Sequence, residues 1–156
     1  MMPTPENPNR MHAWSYVIVQ AVLLVLIIFL GRDLGPQIHR LVVSGWICEW
    51  LGIAGIVISA ASLRKSLTAI PIPKEDGKLS TTGLYRYVRH PMYTSVLLFA
   101  IGIAIRSGTL VKYLLVMGLC FLFYAKSKYE EKFLKMKYPD YAEYARRIPR
   151  FIPFTK

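Results

Sequence analysis

Long runs without a charged residue alternate with basic segments along this chain, and this alternation most constrains its fold. The run from Met11 to Gly31 contains no Asp, Glu, Lys or Arg over 21 residues. The run from Leu41 to Leu63 contains only Glu49 over 23 residues. A helix needs about 20 apolar residues to cross the hydrocarbon core of a bilayer. Each run is therefore predicted to be a membrane-spanning helix.

Two shorter apolar runs in the second half of the chain are predicted to form a helical hairpin. They cover His90 to Ile105, which is 16 residues, and Tyr113 to Ala125, which is 13. Ser107-Gly108 between them is a turn signal. Arg106 and Lys112 are expected to extend their charged ends to the membrane surface. A single re-entrant element is the alternative interpretation.

These runs together predict an all-α fold, with one domain over residues 1–156 and about four transmembrane helices. A carboxy-terminal amphipathic helix is expected from Lys126 to Arg147, broken at Tyr138-Pro139-Asp140 because the residue before a proline disfavours helix. A signal peptide is the alternative for the first run. Its apolar stretch is long for one, however, and no small-x-small cleavage site precedes Arg32.

The basic residues predict how the chain is oriented. The chain has 20 Lys and Arg against 9 Asp and Glu, a balance that in a soluble protein would suggest nucleic acid as a partner. Here the charges lie in blocks between apolar runs, so membrane lipids are the expected partner and nucleic acid is not. Sixteen of the 20 cations fall in the two tails and the middle loop. By the positive-inside rule, both termini are predicted to be cytoplasmic.

Other residues inside the apolar runs are interpreted as structural. Glu49 lies nearer the outer leaflet and is expected to pair with a polar or tryptophan neighbour, between Trp46 and Trp50. The small residues from Gly52 onward suit close helix packing, within the chain or across a homodimer. No metal site is predicted, because no third ligand joins the two histidines outside the middle loop.

The middle loop, residues 64–91, has more features than a simple linker needs. His90-Pro91 is predicted to begin the third span, since proline suits the first position of a helix. Arg86 and Arg89 then lie beside a positive helix terminus, which suits a carboxylate or phosphate. On composition alone, a ligand site and an aromatic membrane anchor remain equally open.

Two motifs here resemble a known family. The first segment, Gly83-Leu84-Tyr85-Arg86-Tyr87-Val88-Arg89-His90-Pro91-Met92-Tyr93, resembles the Gly-x-Tyr-x-x-x-Arg-His-Pro-x-Tyr signature of the isoprenylcysteine carboxyl methyltransferases. Phospholipid methyltransferases carry related sequences. The tail resembles that family's Glu-Glu-x-x-Leu, Tyr-x-x-Tyr and Arg-x-Pro-Arg-x-Ile-Pro pattern, through Glu130 to Leu134, Tyr141 to Tyr144 and Arg147 to Pro153. The resemblance covers roughly residues 60–154, the motif-bearing catalytic region.

The resemblance implies a methyltransferase that uses S-adenosylmethionine, with the cofactor at the cytoplasmic end of the bundle. Carried over by position, the implied cofactor contacts are Gly77, Lys78, Leu79, Ser80, Tyr85, His90, Pro91, Met92, Tyr93 and Glu130. At Gly77 relatives often have histidine, so contacts there are expected to come from the backbone.

The implied acceptor is a lipophilic small molecule or a lipid, most simply one with a carboxylate. A carboxylate nucleophile is already ionised, so it needs a cation to hold it rather than a base. The family places an arginine where this chain has Lys126, and Arg89 and Arg150 are further candidates. Because lysine lacks the bidentate guanidinium fork, this departure puts a prenylcysteine substrate in doubt.

Four alternatives remain open on the sequence. An acceptor amine in a phosphatidylethanolamine-like headgroup would need a base, so its methylation rate should rise with pH. An NADPH-dependent sterol-type reductase would bind a dinucleotide instead. A non-catalytic membrane module would keep the fold and lose turnover. Finally, Glu130 and Glu131 could simply form i,i+4 pairs with neighbours such as Lys126 and Lys135.

Overall fold

The computed structural model describes residues 10–30, 39–63, 66, 68–73, 76–153 and 155, and this part of the chain is helical. It contains five α-helices and a short 3-10 helix at Gly83–Arg86, with no strand among the described residues. The α-helices are α1 Arg10–Phe29, α2 His39–Leu63, α3 Pro91–Ser107, α4 Leu110–Lys137 and α5 Tyr141–Arg147. The predicted all-α class is confirmed, while residues 31–38, which include Arg32, lie outside the described residues.

Three of these helices are long and apolar enough to cross a membrane, over Met11–Phe29, Leu41–Leu63 and Leu110–Lys137. The fourth apolar helix, α3, is shorter at 17 residues. Large apolar side chains on the outer faces of α1, α2 and α4 are exposed, for example Val25, Trp50 and Phe121. Because a protein in water buries most such surface, this exposure indicates a lipid environment.

The helices α2 and α3 pack together so closely that glycines are needed at the contact. A Cβ added to Gly52 would lie 2.6 Å from the backbone nitrogen of Phe99. A Cβ added to Gly102 would lie 2.6 Å from the backbone oxygen of Gly45. The prediction that small residues on the second span allow close packing within the chain is thus confirmed.

An ion pair lies at the far end of this α2–α3 contact. Arg106 Nε donates to Glu49 Oε1 at 2.8 Å, and the Arg106 guanidinium lies 4.4 Å from the centre of a Trp46 ring. The expected structural pairing of Glu49 is confirmed, with an arginine partner that the sequence did not indicate. Lys112 is 5% exposed, so the expectation that it extends to the surface is wrong.

The turn between α3 and α4 confirms the predicted hairpin. Helix α3 begins at Pro91 with His90 at its N-cap, and ends at Ser107. Gly108 follows with φ of 66°, a left-handed conformation that glycine adopts without steric cost. Helix α4 then continues to Lys137, so the fourth apolar run and the first part of the basic run form one helix.

The expected break at Tyr138-Pro139-Asp140 is also confirmed, since α5 begins only at Tyr141. The break turns the chain back toward the middle loop. It therefore places the last motif, after α5, beside the start of α3.

We predict that Gly52→Ala lowers the melting temperature of the purified protein in detergent. The added methyl group would meet the Phe99 backbone, which cannot rotate away, and such overpacking costs about 1–3 kcal/mol. Gly118→Ala in α4 is the control, because nothing lies within 4 Å of its added Cβ. There the loss of glycine's backbone freedom should stabilise the helix by about 0.5–1 kcal/mol. Equal melting temperatures for the two variants would contradict this account of the contact.

Candidate functional site

A cavity of about 260 Å³ lies where the middle loop meets α3 and α4, and residues of α1, α2 and the segment from Tyr138 to Tyr144 complete its walls. Nearly all of the sequence-predicted site residues line it. From the cofactor set these are Gly77, Lys78, Leu79, Ser80, Tyr85, His90, Met92, Tyr93 and Glu130. Arg89 and Lys126 line it as well. Pro91, the buried first residue of α3, and Arg150 do not contribute to its walls.

The carboxylate of Glu130 is held at the cavity by residues from the start of α3. Tyr93 Oη donates to Glu130 Oε2 at 2.7 Å, and His90 Nδ1 lies 3.6 Å from the same oxygen. The His90 and Tyr93 rings stack with their centres 5.3 Å apart and an angle of 2° between them. Both contacts use Oε2, and no described residue donates to Oε1, so the second carboxylate oxygen of Glu130 can accept from a ligand.

Two tyrosines of the carboxy-terminal segment hold the middle loop by hydrogen bonds to its backbone. Tyr138 Oη donates to the Gly77 carbonyl and Tyr144 Oη to the Tyr85 carbonyl, each at 2.6 Å. Burial raises the pKa of Tyr144 to about 12, so its hydroxyl stays protonated at neutral pH. Burial and the nearby charge of Glu130 also raise the pKa of Tyr85. The cavity wall is thus lined by neutral phenols.

Glu131, which was not among the predicted site residues, is the centre of an ion-pair cluster beside the cavity. Its Oε1 lies 3.1 Å from Arg89 Nη1 and 3.0 Å from His90 Nε2. Arg150 binds it with two donors, Nε to Oε1 at 3.0 Å and Nη2 to Oε2 at 2.7 Å. Glu131 is only 4% exposed. The hydrogen bond to Glu131 raises the pKa of Arg150.

The backbone adds to this connection between the loop and the tail. Arg89 N donates to the Pro149 carbonyl at 2.9 Å, and His90 N to the Arg150 carbonyl at 3.1 Å. The alternative that Glu131 only pairs with lysines of its own helix is therefore wrong. Consecutive residues of a helix point about 100° apart, so Glu131 reaches Arg89 and Arg150 while Glu130 faces Tyr93 and the cavity. His90 contacts both carboxylates through its two ring nitrogens. The position of Glu131, next to Glu130 on one helix but facing another direction, was the sequence signal that could have identified its separate role.

The three cations that were predicted to hold the acceptor differ in whether a carboxylate pairs with them. Arg89 lines the cavity, but its guanidinium pairs with Glu131, and Arg150 is committed to the same carboxylate outside the cavity. Lys126 Nζ instead donates to Gln20 Oε1 at 2.7 Å, and the Ala69 carbonyl is 3.5 Å away. Gln20 was not predicted, although it is the one polar residue from Val17 to Leu30.

Residues 40–141 match the sequence profile of the phospholipid methyltransferase family. The chain belongs to this family. The match spans the second helix, the middle loop with its motif, the hairpin and the first tyrosine of α5. The resemblance to methyltransferases drawn from the two motifs is thereby confirmed at the level of the family.

Individual relatives are about 30% identical to this chain over the residues that align. A cobalt-zinc-cadmium resistance protein of Cupriavidus metallidurans is 31% identical over 147 residues, 93% of this chain and 64% of the relative. Protein-S-isoprenylcysteine O-methyltransferase B of Arabidopsis thaliana is 32% identical over 84 residues, 53% of this chain and 43% of the relative. The chain thus spans less than two thirds of the length of these relatives.

Among the described residues, no group of three His, Cys, Asp or Glu could hold a metal ion.

We predict that Glu131→Gln loosens the carboxy-terminal segment. Two arginines would lose their shared carboxylate, and breaking a buried ion pair costs about 3–5 kcal/mol. The melting temperature should fall, and limited trypsin digestion should cleave faster after Arg146, Arg147 or Arg150. Glu143→Gln is the matched control, because Glu143 pairs with Arg147 on the exposed face of α5 and such pairs contribute about 0–1 kcal/mol. If both variants resist trypsin as the parent does, Glu131 does not hold the segment.

Proposed function

We propose that this protein transfers a methyl group from S-adenosylmethionine to a lipophilic acceptor at the membrane. The observation that carries the proposal is the convergence of two motifs, far apart in sequence, on one cavity. Tyr85, His90 and Tyr93 come from the first motif and Glu130 from the second. Membership of the phospholipid methyltransferase family supports the same reaction type.

The chemistry of the cavity residues fits this cofactor. S-adenosylmethionine supplies a methyl group on a sulfonium, and it also carries an ammonium, a carboxylate and an adenosine. The free oxygen of Glu130 can accept from the ammonium or from ribose hydroxyls. The ring of Tyr85 offers the aromatic surface that an adenine needs, whereas the Tyr93 ring is already stacked with His90 and Phe123. The stretch from Gly77 to Ser80 can contribute backbone donors and acceptors at the rim of the cavity.

The acceptor is proposed to carry an apolar tail and, most simply, a carboxylate. On the α1 and α2 side the cavity is walled by Val17, Ile56 and Leu63, which suits hydrocarbon. Lys126 lies in the same cavity and can bind an oxyanion there. The relative from Arabidopsis is by name an O-methyltransferase of isoprenylcysteine. The family description favours a second candidate, a phospholipid headgroup.

Such a transfer asks little acid–base chemistry of the protein. The new bond forms between the acceptor oxygen and the methyl carbon as the carbon–sulfur bond breaks, and the leaving group is a neutral thioether. No proton has to be supplied to it. The residues of the cavity therefore act by alignment, with Lys126 orienting the nucleophile. Alignment of two bound reactants can lower a barrier by about 7–11 kcal/mol.

We predict that the purified protein binds S-adenosylhomocysteine in a calorimetric titration and that Glu130→Gln binds it about ten times more weakly or worse. The loss reflects a charged hydrogen-bond partner, which contributes about 1.5–3 kcal/mol. Tyr93→Phe should also weaken binding, because the Glu130 carboxylate loses the hydroxyl that orients it. Glu143→Gln, which changes a carboxylate outside the cavity, should bind as the parent does.

The parent and the variants test different statements. No heat with S-adenosylhomocysteine in the parent, or heat with NADPH instead, would overturn the proposed cofactor. Equal binding by the parent, Glu130→Gln and Tyr93→Phe would keep the cofactor and overturn the assigned site.

We further propose that α3 is a fourth crossing, and that both termini and the cavity face the cytoplasm. Helix α3 has 17 residues, which at about 1.5 Å per residue gives roughly 26 Å. That length is close to the hydrocarbon thickness of about 30 Å, and a small mismatch costs little. Helices α3 and α4 would then form an outward-pointing hairpin.

This topology predicts opposite labelling of two single cysteines in a variant that lacks Cys48 and Cys120. In intact bacterial cells, a membrane-impermeant maleimide should label Thr109→Cys in the hairpin turn and leave Thr155→Cys in the tail unlabelled. After lysis both should react. Labelling of the tail cysteine in intact cells would contradict a cytoplasmic carboxy terminus.

A further inference from the structure

We infer that Gln20 is a positioning residue that acts on the acceptor through Lys126. Its side chain holds the Lys126 ammonium in the cavity without cancelling the charge. The ammonium is thereby left to bind an oxyanion of the methyl acceptor. This inference rests on the proposed function and adds a specificity-determining residue to it. Gln20 lies outside both sequence motifs, on a helix to which neither motif extends.

The location of Gln20 is the first argument. From Val17 to Leu30, α1 is otherwise apolar, and its outer face is exposed in the manner of a lipid-facing helix. An amide inside a membrane helix needs a hydrogen-bond partner. Gln20 finds it on α4, where its Oε1 accepts from Lys126 Nζ at 2.7 Å. Both residues line the cavity.

The electrostatic state of Lys126 is the second argument. The lysine is 3% exposed, yet its two hydrogen-bond partners, Gln20 Oε1 and the Ala69 carbonyl, are neutral oxygens. In the part of the chain that the structure describes, no carboxylate lies within 4.0 Å of its nitrogen. Glu130, one turn further along α4, attracts the ammonium electrostatically, but its carboxylate is hydrogen-bonded to Tyr93 and forms no ion pair with Lys126. Burying a charge without a direct ion pair is costly, so a cavity-lining ammonium of this kind suits an anionic ligand.

The donor count is the third argument. A lysine ammonium has three N–H groups. Among the described residues, only Gln20 and the Ala69 carbonyl accept from them, which leaves one N–H for a ligand. The Tyr93 ring, whose centre is 5.2 Å from Nζ, adds a face that attracts the cation without neutralising it. By contrast, the guanidinium of Arg89 already pairs with Glu131.

An amide at position 20 therefore holds Lys126 and leaves its charge unpaired, which a carboxylate there would not do. A glutamate would also accept the lysine N–H, but it would form an ion pair and remove the charge that attracts the acceptor. This difference separates a role in acceptor binding from the ordinary use of a polar residue to join two membrane helices. In the ordinary role a glutamate would serve as well as glutamine or better.

The test compares Gln20→Leu and Gln20→Glu with the parent in steady-state kinetics. The acceptor probes are N-acetyl-S-farnesyl-L-cysteine, which offers a carboxylate, and dioleoylphosphatidylethanolamine, which offers a phosphate beside its amine. We expect both variants to raise the acceptor KM about tenfold, because each weakens the charged hydrogen bond between Lys126 and the acceptor. Gln20→Leu removes the group that positions the ammonium, and Gln20→Glu keeps the hydrogen bond to the ammonium but pairs its charge. The affinity for S-adenosylhomocysteine should stay within twofold of the parent. The probe that is methylated identifies the source of the oxyanion.

A double-mutant comparison shows whether Gln20 acts through Lys126. Lys126→Met should raise the acceptor KM by itself, and Gln20→Leu should add nothing in that background. Lys112→Met is the matched control, because it removes another buried lysine of α4 that does not line the cavity. It should leave the acceptor KM unchanged. Retained binding of S-adenosylhomocysteine shows in each case that the variant is folded.

Several results would overturn the inference. A parent-like KM for Gln20→Glu would mean that only the hydrogen bond matters, and additive effects in the double variant would separate Gln20 from Lys126. If neither probe is methylated, calorimetric binding of each probe to the protein saturated with S-adenosylhomocysteine gives the same comparison. If neither probe binds in that titration, the inference is also overturned. Failure of the parent to bind S-adenosylhomocysteine would overturn the proposed function, and this inference with it.

Discussion

The burial of the Glu131 carboxylate is the constraint on which the rest of the site depends. A carboxylate that is 4% exposed is stable only if cations and hydrogen-bond donors surround it. Here the donors come from Arg89 and His90 in the middle loop and from Arg150 in the tail. One side chain of α4 thus requires both segments to be in place. The cavity exists because these segments are held against the ends of α3 and α4.

The membrane part of the protein uses the same principle at the opposite end of α3. Glu49 and Arg106 would each be costly in a lipid environment if unpaired, and their pairing joins α2 to α3. The glycines at this contact let the two backbones approach closely enough for that pairing. As a result, α3 is fixed to α2 along its length, and His90 and Tyr93 at its other end are held in a defined position.

The three cations of the site have different roles, since two stabilise its wall and the third is proposed to bind a ligand. Arg89 and Arg150 share a carboxylate and thereby stabilise the wall of the site. Lys126 has only neutral hydrogen-bond partners among the described residues, and under the proposed function it is the buried cation that binds an anionic acceptor group. The lysine at this position, where the family resemblance implies an arginine, fits that proposal. A compact ammonium can be oriented by one amide, whereas a guanidinium presents five donors to satisfy.

The sequence by itself determined the local features of this protein. The apolar runs indicated where the four long helices lie, although α4 extends past its run to Lys137. Pro91 specified where α3 begins, and Gly108 specified where it ends. The family resemblance implied eleven of the residues that line the cavity, nine from the cofactor set together with Arg89 and Lys126. Each of these features depends on neighbouring residues or on a pattern within one segment, so each can be recognised without the fold.

The tertiary structure decided which charges meet. Gln20 and Lys126 are 106 positions apart, Glu49 and Arg106 are 57 apart, and Glu131 gathers donors from both sides of the hairpin. Such pairings depend on the relative rotation and spacing of packed helices, which hydrophobic runs do not specify. For the same reason the sequence favoured Glu130 and overlooked Glu131, since adjacent residues of one helix differ in function only through the direction in which they point.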